Sequence, residues 1–284
     1  MERILIIHKK GRPDAARLAE DLVAWLNRKG FSATARENLP DTRTFSPPCP
    51  PPMDADAVVV LGGDGTLLSV ARQVGDRNIP IVGVNLGGLG FLTEISREWC
   101  FRDLDHVLSG AHEIEERMRL RVSVQRQGHE VFVQTVLNDA VINKGALARI
   151  VDLDTHIDGR YLTHYRADGL IAATPTGSTA YNLSAGGPIV YPTAQAVILT
   201  PICPFTLTNR PIILPASSVI QVRLDDKAQD VTLTCDGQVG HRLAPNDAIV
   251  IAKSPHSLKL IKPASTDYFN ILRTKLKWGQ SCAG

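Results

Sequence analysis

The 284-residue sequence has no run of lysine and arginine, no C-x-x-C pair and no apolar stretch approaching the roughly 20 residues of a membrane span. Its 31 basic residues are balanced by 29 acidic ones, a formal charge of +2, so the charge pattern marks neither a nucleic-acid nor a membrane partner. A small-molecule ligand fits this balance better. The five cysteines, Cys49, Cys100, Cys203, Cys235 and Cys282, are odd in number and widely scattered, which argues against a disulfide framework and against a zinc site. The eight histidines show no metal-ligand spacing either. The opening "MERILIIHKKGRPDA" has an apolar stretch too short for a secretory signal, so a cytoplasmic location is expected. Three familiar site motifs are also missing: G-x-x-x-x-G-K-[ST], G-x-G-x-x-G and the hydrolase elbow G-x-S-x-G.

With 44% hydrophobic residues the chain can bury a large core, and its length lies where one core often gives way to two. Up to about Arg117, short apolar runs alternate with helical stretches. "RILIIH" is followed by a helix with Ala15, Leu18, Leu22, Trp25 and Leu26 on one face, and "FSATARE" by a proline-rich stretch, "PDTRTFSPPCPPPMDAD", expected to be an exposed, mobile connection. "AVVVLGG" reads as a buried parallel strand, "TLLSVARQV" as a helix begun by Thr66, "IPIVGVNLGG" as the next strand and "SREWCFRDLDHVLSG" as a helix. This is βαβ grammar, an α/β domain with a Rossmann-like parallel sheet over residues 1–117. After Arg119 the apolar period becomes two, and Asp158–Gly159, Asp225–Asp226, Asp236–Gly237 and Pro245–Asn246 signal turns, so residues 118–263 form a mostly β domain. The last stretch, "DYFNILRTKLKWGQ", is apolar enough through Phe269, Ile271, Leu272, Leu276 and Trp278 to pack back, joining 264–284 to the first domain.

Four clusters carry chemistry. In "LGGDGTLLSV", Gly62, Gly63 and Gly65 let the backbone approach a phosphate, and the helix starting near Thr66 points its positive end at the same place. Asp64 is out of character in an anion loop, because a carboxylate repels phosphate. Phosphoryl transfer to a hydroxyl offers it two roles: holding magnesium, or accepting the proton of the attacking hydroxyl. The plain alternative is a tight turn with a solvated aspartate. "NLGGLGFLT" ends the next strand of the same region, where both loops can face one crevice, with Phe91 beside the ligand or in the core. "YRADGLIAATPTGSTAYNLSAGGPI" offers Thr174, Thr176, Ser178, Thr179, Tyr181, Asn182 and Ser184, a density of hydroxyl and amide groups that suits ribose and base, or else a Ser/Thr-rich loop. "LNDAVINKG" adds Asn138 and Asp139 at a strand end.

Taken in this order, "GGDGT", "NLGGLGF", "LND" and "DGLIAATPTGSTAYNLSAGGP", with "CPFTLTNRPIIL" and "CDGQ" after them, closely resemble the NAD kinase family. The glycine–aspartate motif is shared with diacylglycerol and sphingosine kinases, whereas "TPTGSTAY" is much more specific. The resemblance implies magnesium-dependent transfer of the terminal phosphate of ATP to the 2′-hydroxyl of the adenosine ribose of NAD, a β-sandwich-like second domain with the ligand between the two, and a homodimer or homotetramer. It places Asp64 as general base, with a direct metal contact left open. Gly62, Gly63, Gly65 and Thr66 would hold the ATP phosphates. Gly65, Phe91, Asn138, Asp139, Arg166, Asp168, Thr179, Ala180, Tyr181, Ser184, Phe205 and Gln238 would line the NAD site together with Asp64. Many relatives have glutamate at the Asp139 position and histidine at that of Phe205. The family associates the Arg166 position with choosing NAD over NADH, and its cation is expected to act through a carboxylate such as Asp168 or through phosphate. The rivals are a lipid kinase, which would need an apolar groove or basic membrane patch not evident here, and a non-catalytic NAD sensor, which would have no use for Asp64.

Overall fold

The computed structural model describes residues 1–39, 52–88, 90–145, 150–263 and 267–278. The proline-rich stretch lies outside them apart from residues 52–56. Two compact units divide the described residues: one runs from Arg117 to Leu258, and the other takes residues 1–39, 52–116 and the described residues from Lys259 onward.

The first unit begins with β1 (Arg3–His8), α1 (Pro13–Arg28), β2 (Ser32–Glu37), β3 (Ala57–Gly62), α2 (Asp64–Val74), β4 (Ile81–Asn85), the short β5 (Ile95–Ser96), α3 (Cys100–Leu108) and β6 (His112–Arg117). Pro13 opens α1 where a missing N–H costs nothing, and Ala15, Leu18, Ala19, Leu22 and Leu26 form its buried stripe. All six residues of β3 are buried, as the unbroken "AVVVLG" requires of a strand covered on both faces. β1 pairs in parallel with β2 and β3, and β3 with β4. Because β1 lies between β2 and β3, the direction of winding reverses there. In such sheets ligands bind outside the carboxyl ends of the strands at the reversal. β3 ends on Gly62, so the acidic glycine loop stands at that place.

The second unit is antiparallel. Its strands are β7 (Leu120–Arg126), β8 (His129–Val136), β9 (Asp139–Lys144), β10 (Val151–Ile157), β11 (Arg160–Ala167), β12 (Gly169–Ala173), β13 (Ala196–Ile202), β14 (Ile212–Pro215), β15 (Ile220–Leu224), β16 (Val231–Cys235), β17 (Val239–Leu243) and β18 (Ala248–Lys253), with one short helix, α4 (Tyr181–Ser184). One sheet runs β11-β10-β15-β18-β7-β8 and the other β14-β13-β12-β9-β16-β17. They enclose a core to which β7 gives Leu120, Val122 and Val124, and β9 gives Ala140 and Ile142. By strand alternation Asp139, Val141 and Asn143 face the other side, where Val141 packs with Ile171, Ala173 and Ile198. The Asp158–Gly159 hairpin has both residues at positive φ (51° and 76°), the two-residue turn its dipeptide signals.

The chain returns with β19 (Leu258–Pro263), parallel to β4, and α5 (Tyr268–Leu276), completing the order β2-β1-β3-β4-β19-β6 with β5 on β4. The sequence suggests a return at 264; the pairing of β19 brings it forward to the start of that strand. α5 buries Tyr268, Ile271 and Leu272, while Trp278, expected in the same packing, is exposed.

Candidate active site

In the first unit, β3 delivers Gly62 and Gly63, and α2 starts at once. The helix begins at Asp64, two residues earlier than the sequence suggests, because Gly63 takes the extended N-cap conformation that Thr66 was expected to follow. No side chain caps this turn. The Asp64 carboxylate reaches instead across to the second glycine loop. Oδ1 accepts from the Leu92 N–H (3.1 Å), the Thr93 N–H (3.2 Å) and the Thr93 hydroxyl (3.1 Å), and Oδ2 from the Phe91 N–H (2.9 Å). Asn85 Nδ2 donates to Thr93 Oγ1 at 2.7 Å, and Asn85 Oδ1 accepts from the Gly87 N–H at 2.7 Å. The carboxylate thus has a structural reason to be there. It ties residues 91–93 to the end of β3, and a solvated aspartate in a plain turn is not what is found. Thr66 is buried with its side chain packed against Gly62, Phe91 is half-buried, and Lys275 Nζ lies 5.9 Å from the Phe91 ring centroid.

In the second unit, Asp139 opens β9 directly after Asn138, and both sit inside a backbone clamp. The Asp236 carboxylate, in the turn after β16, accepts from three successive N–H groups: Leu137 (3.0 Å), Asn138 (2.7 Å) and Asp139 (3.2 Å). From the other side the Asn138 carbonyl accepts from the Thr174 N–H (2.8 Å), and the Leu137 carbonyl from the Thr174 hydroxyl (2.5 Å). A Cβ on Gly177 would overlap the Asn138 carbonyl, so glycine is required for this approach. Asp139 is buried, and burial first, then the charge of Asp236, pushes its carboxyl up to about 7.

A cleft of about 450 Å³ opens here. Asn138, Asp139, Ala180 and Tyr181 line it, and so do Asn143, Thr234 and Asp236, which the sequence does not mark as ligand contacts. Asp236–Gly237 reads in sequence as a turn inside "CDGQ", of which Gln238 alone is expected at the ligand; Gln238 is half-buried beyond the lining.

In the hydroxyl-rich segment, Thr174, Ser178 and Asn182 are fully buried and build the loop rather than face a ligand. Ser178 Oγ donates to the Pro175 carbonyl (2.6 Å) and accepts from the Val190 N–H (3.1 Å). Asn182 Nδ2 donates to the Ser178 and Pro188 carbonyls, both at 3.0 Å, and its Oδ1 accepts from the Thr200 hydroxyl (2.7 Å). Thr179 is half-buried and Ser184 exposed.

Arg166 has a different partner from the one expected. Its Nε lies 3.1 Å from Asp152 Oδ1, while Asp168 pairs with Lys144 (2.8 Å). Asp152 also meets His164 Nε2 at 3.0 Å, and His164 Nδ1 meets Asp154 at 2.8 Å; hydrogen bonding to these carboxylates raises the His164 pKa. Exposed Phe205 donates its N–H to the Arg166 carbonyl (2.8 Å) and sets its ring 5.5 Å from the guanidinium carbon.

Residues 4–112 match the model of the ATP-NAD kinase N-terminal domain, and residues 137–263 that of the ATP-NAD kinase C-terminal domain. An NAD kinase of Syntrophobacter fumaroxidans is 59% identical over 283 residues, 99% of this chain and 100% of that protein. One from Geotalea daltonii is 51% identical with the same coverage. Among solved structures, yeast NADH kinase complexed with NADH has a TM-score of 0.86 at 25% identity, covering 99% of this chain and 89% of that one. An NAD kinase from Archaeoglobus fulgidus in complex with ATP has a TM-score of 0.76 at 27% identity, covering 97% and 98%. With both domain models matched in order and relatives this similar over nearly its full length, the chain belongs to the ATP-NAD kinase family and is an enzyme that phosphorylates NAD.

Proposed function

We propose that the chain transfers the γ-phosphate of ATP to the 2′-hydroxyl of the adenosine ribose of NAD, with Asp64 Oδ2 taking the hydroxyl proton. The supporting observation is the asymmetry of that carboxylate: Oδ1 serves three donors and Oδ2 one. Each carboxylate oxygen offers about two lone-pair sites, so Oδ1 anchors the group and Oδ2 keeps capacity to accept. As the 2′-oxygen bonds to the γ-phosphorus, the bond to the β,γ-bridging oxygen breaks, ADP leaves and the proton passes to Oδ2. The positive end of α2, which opens at Asp64 directly behind Gly62 and Gly63, suits the triphosphate.

No group of three or more His, Cys, Asp or Glu side chains that could hold a metal occurs among the described residues. Magnesium typically uses one or two carboxylates beside phosphate oxygens and water. Asp64 is the one carboxylate this loop could offer such an ion, which when bound would neutralise phosphate charge. We further read residues 1–117 with the C-terminal return as one domain and the β-rich remainder as the NAD-binding domain, in a cytoplasmic homodimer or homotetramer. No helix among the described residues is long and apolar enough to cross a membrane. Purified protein with magnesium ATP and NAD is expected to form NADP, while a parallel reaction with diacylglycerol gives no phosphorylated lipid; absence of NADP overturns the assignment.

Asp139 makes NAD binding pH-dependent. Ribose hydroxyls donate to its ionised form, so NAD binding expels the proton that burial retains. Between pH 6 and 8 the ionised fraction of a carboxyl titrating near 7 rises roughly tenfold, and KM for NAD falls by a similar factor. In the free protein the raised value works the other way. Folding holds a proton that the unfolded chain releases near 3.8, so the contribution of Asp139 to stability declines as pH rises from about 4 to 7. Asp139→Asn is expected to flatten the KM profile; a slope surviving that change rules Asp139 out as its source.

Phe205 is expected to tune NAD affinity through Arg166. An exposed cation–π contact is worth about 0.5–1 kcal/mol, and a histidine that protonates beside the guanidinium reverses its sign. Phe205→His should shift KM for NAD by roughly two- to fivefold, read from initial rates at pH 6 and 8; an unchanged KM refutes the link.

A further inference from the structure

We propose that Asn143 is a specificity-determining residue that accepts a hydrogen bond from an N–H₂ group on a heteroaromatic ring of the dinucleotide. The inference rests on the NAD kinase reading and adds a contact that no motif assigns. Asn143 lines the 450 Å³ cleft, yet its Oδ1 has no hydrogen-bond partner in the protein. An amide oxygen without a partner can turn to a ligand donor without breaking an existing bond, and a bound donor relieves the cost of leaving it unsatisfied.

Position and charge narrow what that donor is. Asp139, Val141 and Asn143 share one face of β9, and at about 3.4 Å per residue the two polar ends of this row lie roughly 13–14 Å apart. That span suits a nucleoside, with sugar hydroxyls at Asp139 and the ring substituent at Asn143. The lining contains the carboxylates of Asp139 and Asp236 and no lysine or arginine. A wall of this sign repels phosphate and favours a part of the ligand rich in donors. The neighbouring Lys144 is engaged with Asp168, so its ammonium does not change that balance at the Asn143 end.

Two groups of the dinucleotide have this chemistry, the nicotinamide carboxamide and the adenine 6-amino group. Measuring kcat/KM for NAD, for the 3-acetylpyridine analogue, in which methyl replaces the carboxamide nitrogen, and for the hypoxanthine analogue, which lacks the 6-amino group, separates them. The wild-type protein is expected to prefer NAD to one of the analogues by about five- to tenfold, the effect of one hydrogen bond. In Asn143→Leu, of nearly the same shape, that preference falls to near unity. In Asn143→Asp, which keeps an acceptor, it persists, so a general disturbance of the cleft is distinguished from loss of the contact. Collapse against the acetylpyridine analogue assigns the carboxamide, and collapse against the hypoxanthine analogue assigns the adenine amine. Equal discrimination by the wild-type protein and Asn143→Leu against both analogues overturns the proposal, as does a wild-type protein with no preference. A wild-type protein that forms no NADP from NAD fails at the earlier reading instead. Thermal unfolding of both variants confirms that the comparison is made on folded protein.

Discussion

Replacing Asp64 with asparagine is expected to lower kcat for NADP formation by about 10²–10⁴, the usual effect of removing a general base. The geometry says which atom is lost. Three donors converge on Oδ1, so the amide oxygen of the variant remains there and its NH₂ takes the place of Oδ2. That NH₂ cannot accept a proton, and it faces the Phe91 N–H, which loses its acceptor. The loop therefore loosens at Phe91, while Leu92 and Thr93 keep their bonds. A stability loss of about 1 kcal/mol, the net worth of one hydrogen bond, accompanies the kinetic effect and is too small to explain it. Initial rates and a thermal unfolding curve on the same preparation separate the two. Turnover within a fewfold of wild type would remove Asp64 from the chemistry and leave it only as the tie between the glycine loops.

The same residue marks how far local sequence carries. Period-two and helical patterns locate both units, because burial on one face follows from residues a few positions apart. "AVVVLGG" reads correctly as a buried strand, and Asp158–Gly159 as a turn, because each depends only on its own backbone. The start of α2 misleads. Thr66 reads as the residue that begins the helix, but the first turn forms two residues earlier behind an extended Gly63, and the Asp64 side chain there is engaged 27 to 29 positions along the chain. Non-local pairing likewise decides the hydroxyl-rich segment. The same residue types that suit a nucleotide are used by Thr174, Ser178 and Asn182 to close loops against Leu137, Val190 and Thr200. Asp236 shows the converse, a residue with an ordinary turn signal whose carboxylate arranges Asn138 and Asp139 from nearly a hundred positions away. For Arg166, sequence proximity suggests Asp168, whereas antiparallel pairing sets Asp152 directly opposite.

Gly90→Ala should approach the kinetic defect of Asp64→Asn without touching the carboxylate chemically. A Cβ at position 90 would lie 2.9 Å from Asp64 Cγ and overlap both Asp64 Oδ1 and Thr93 Oγ1, the two atoms of one of the hydrogen bonds that hold the loop. Either the carboxylate swings away and loses its donors, or the 91–93 loop retreats and takes the donors with it. Both displace Oδ2 from where it must meet the ribose, and a shift of about 1 Å from productive geometry can cost 10²-fold. Overpacking of this kind costs typically 1–3 kcal/mol in stability, so folding is checked in parallel. Gly88 supplies the control, since a Cβ there meets nothing within 4 Å, and Gly88→Ala is expected to keep its rate. The double variant Asp64→Asn with Gly90→Ala is the decisive measurement. If both changes act through one carboxylate, the second adds little to the first; if their effects on kcat multiply, Gly90 matters for some reason other than making room for Asp64.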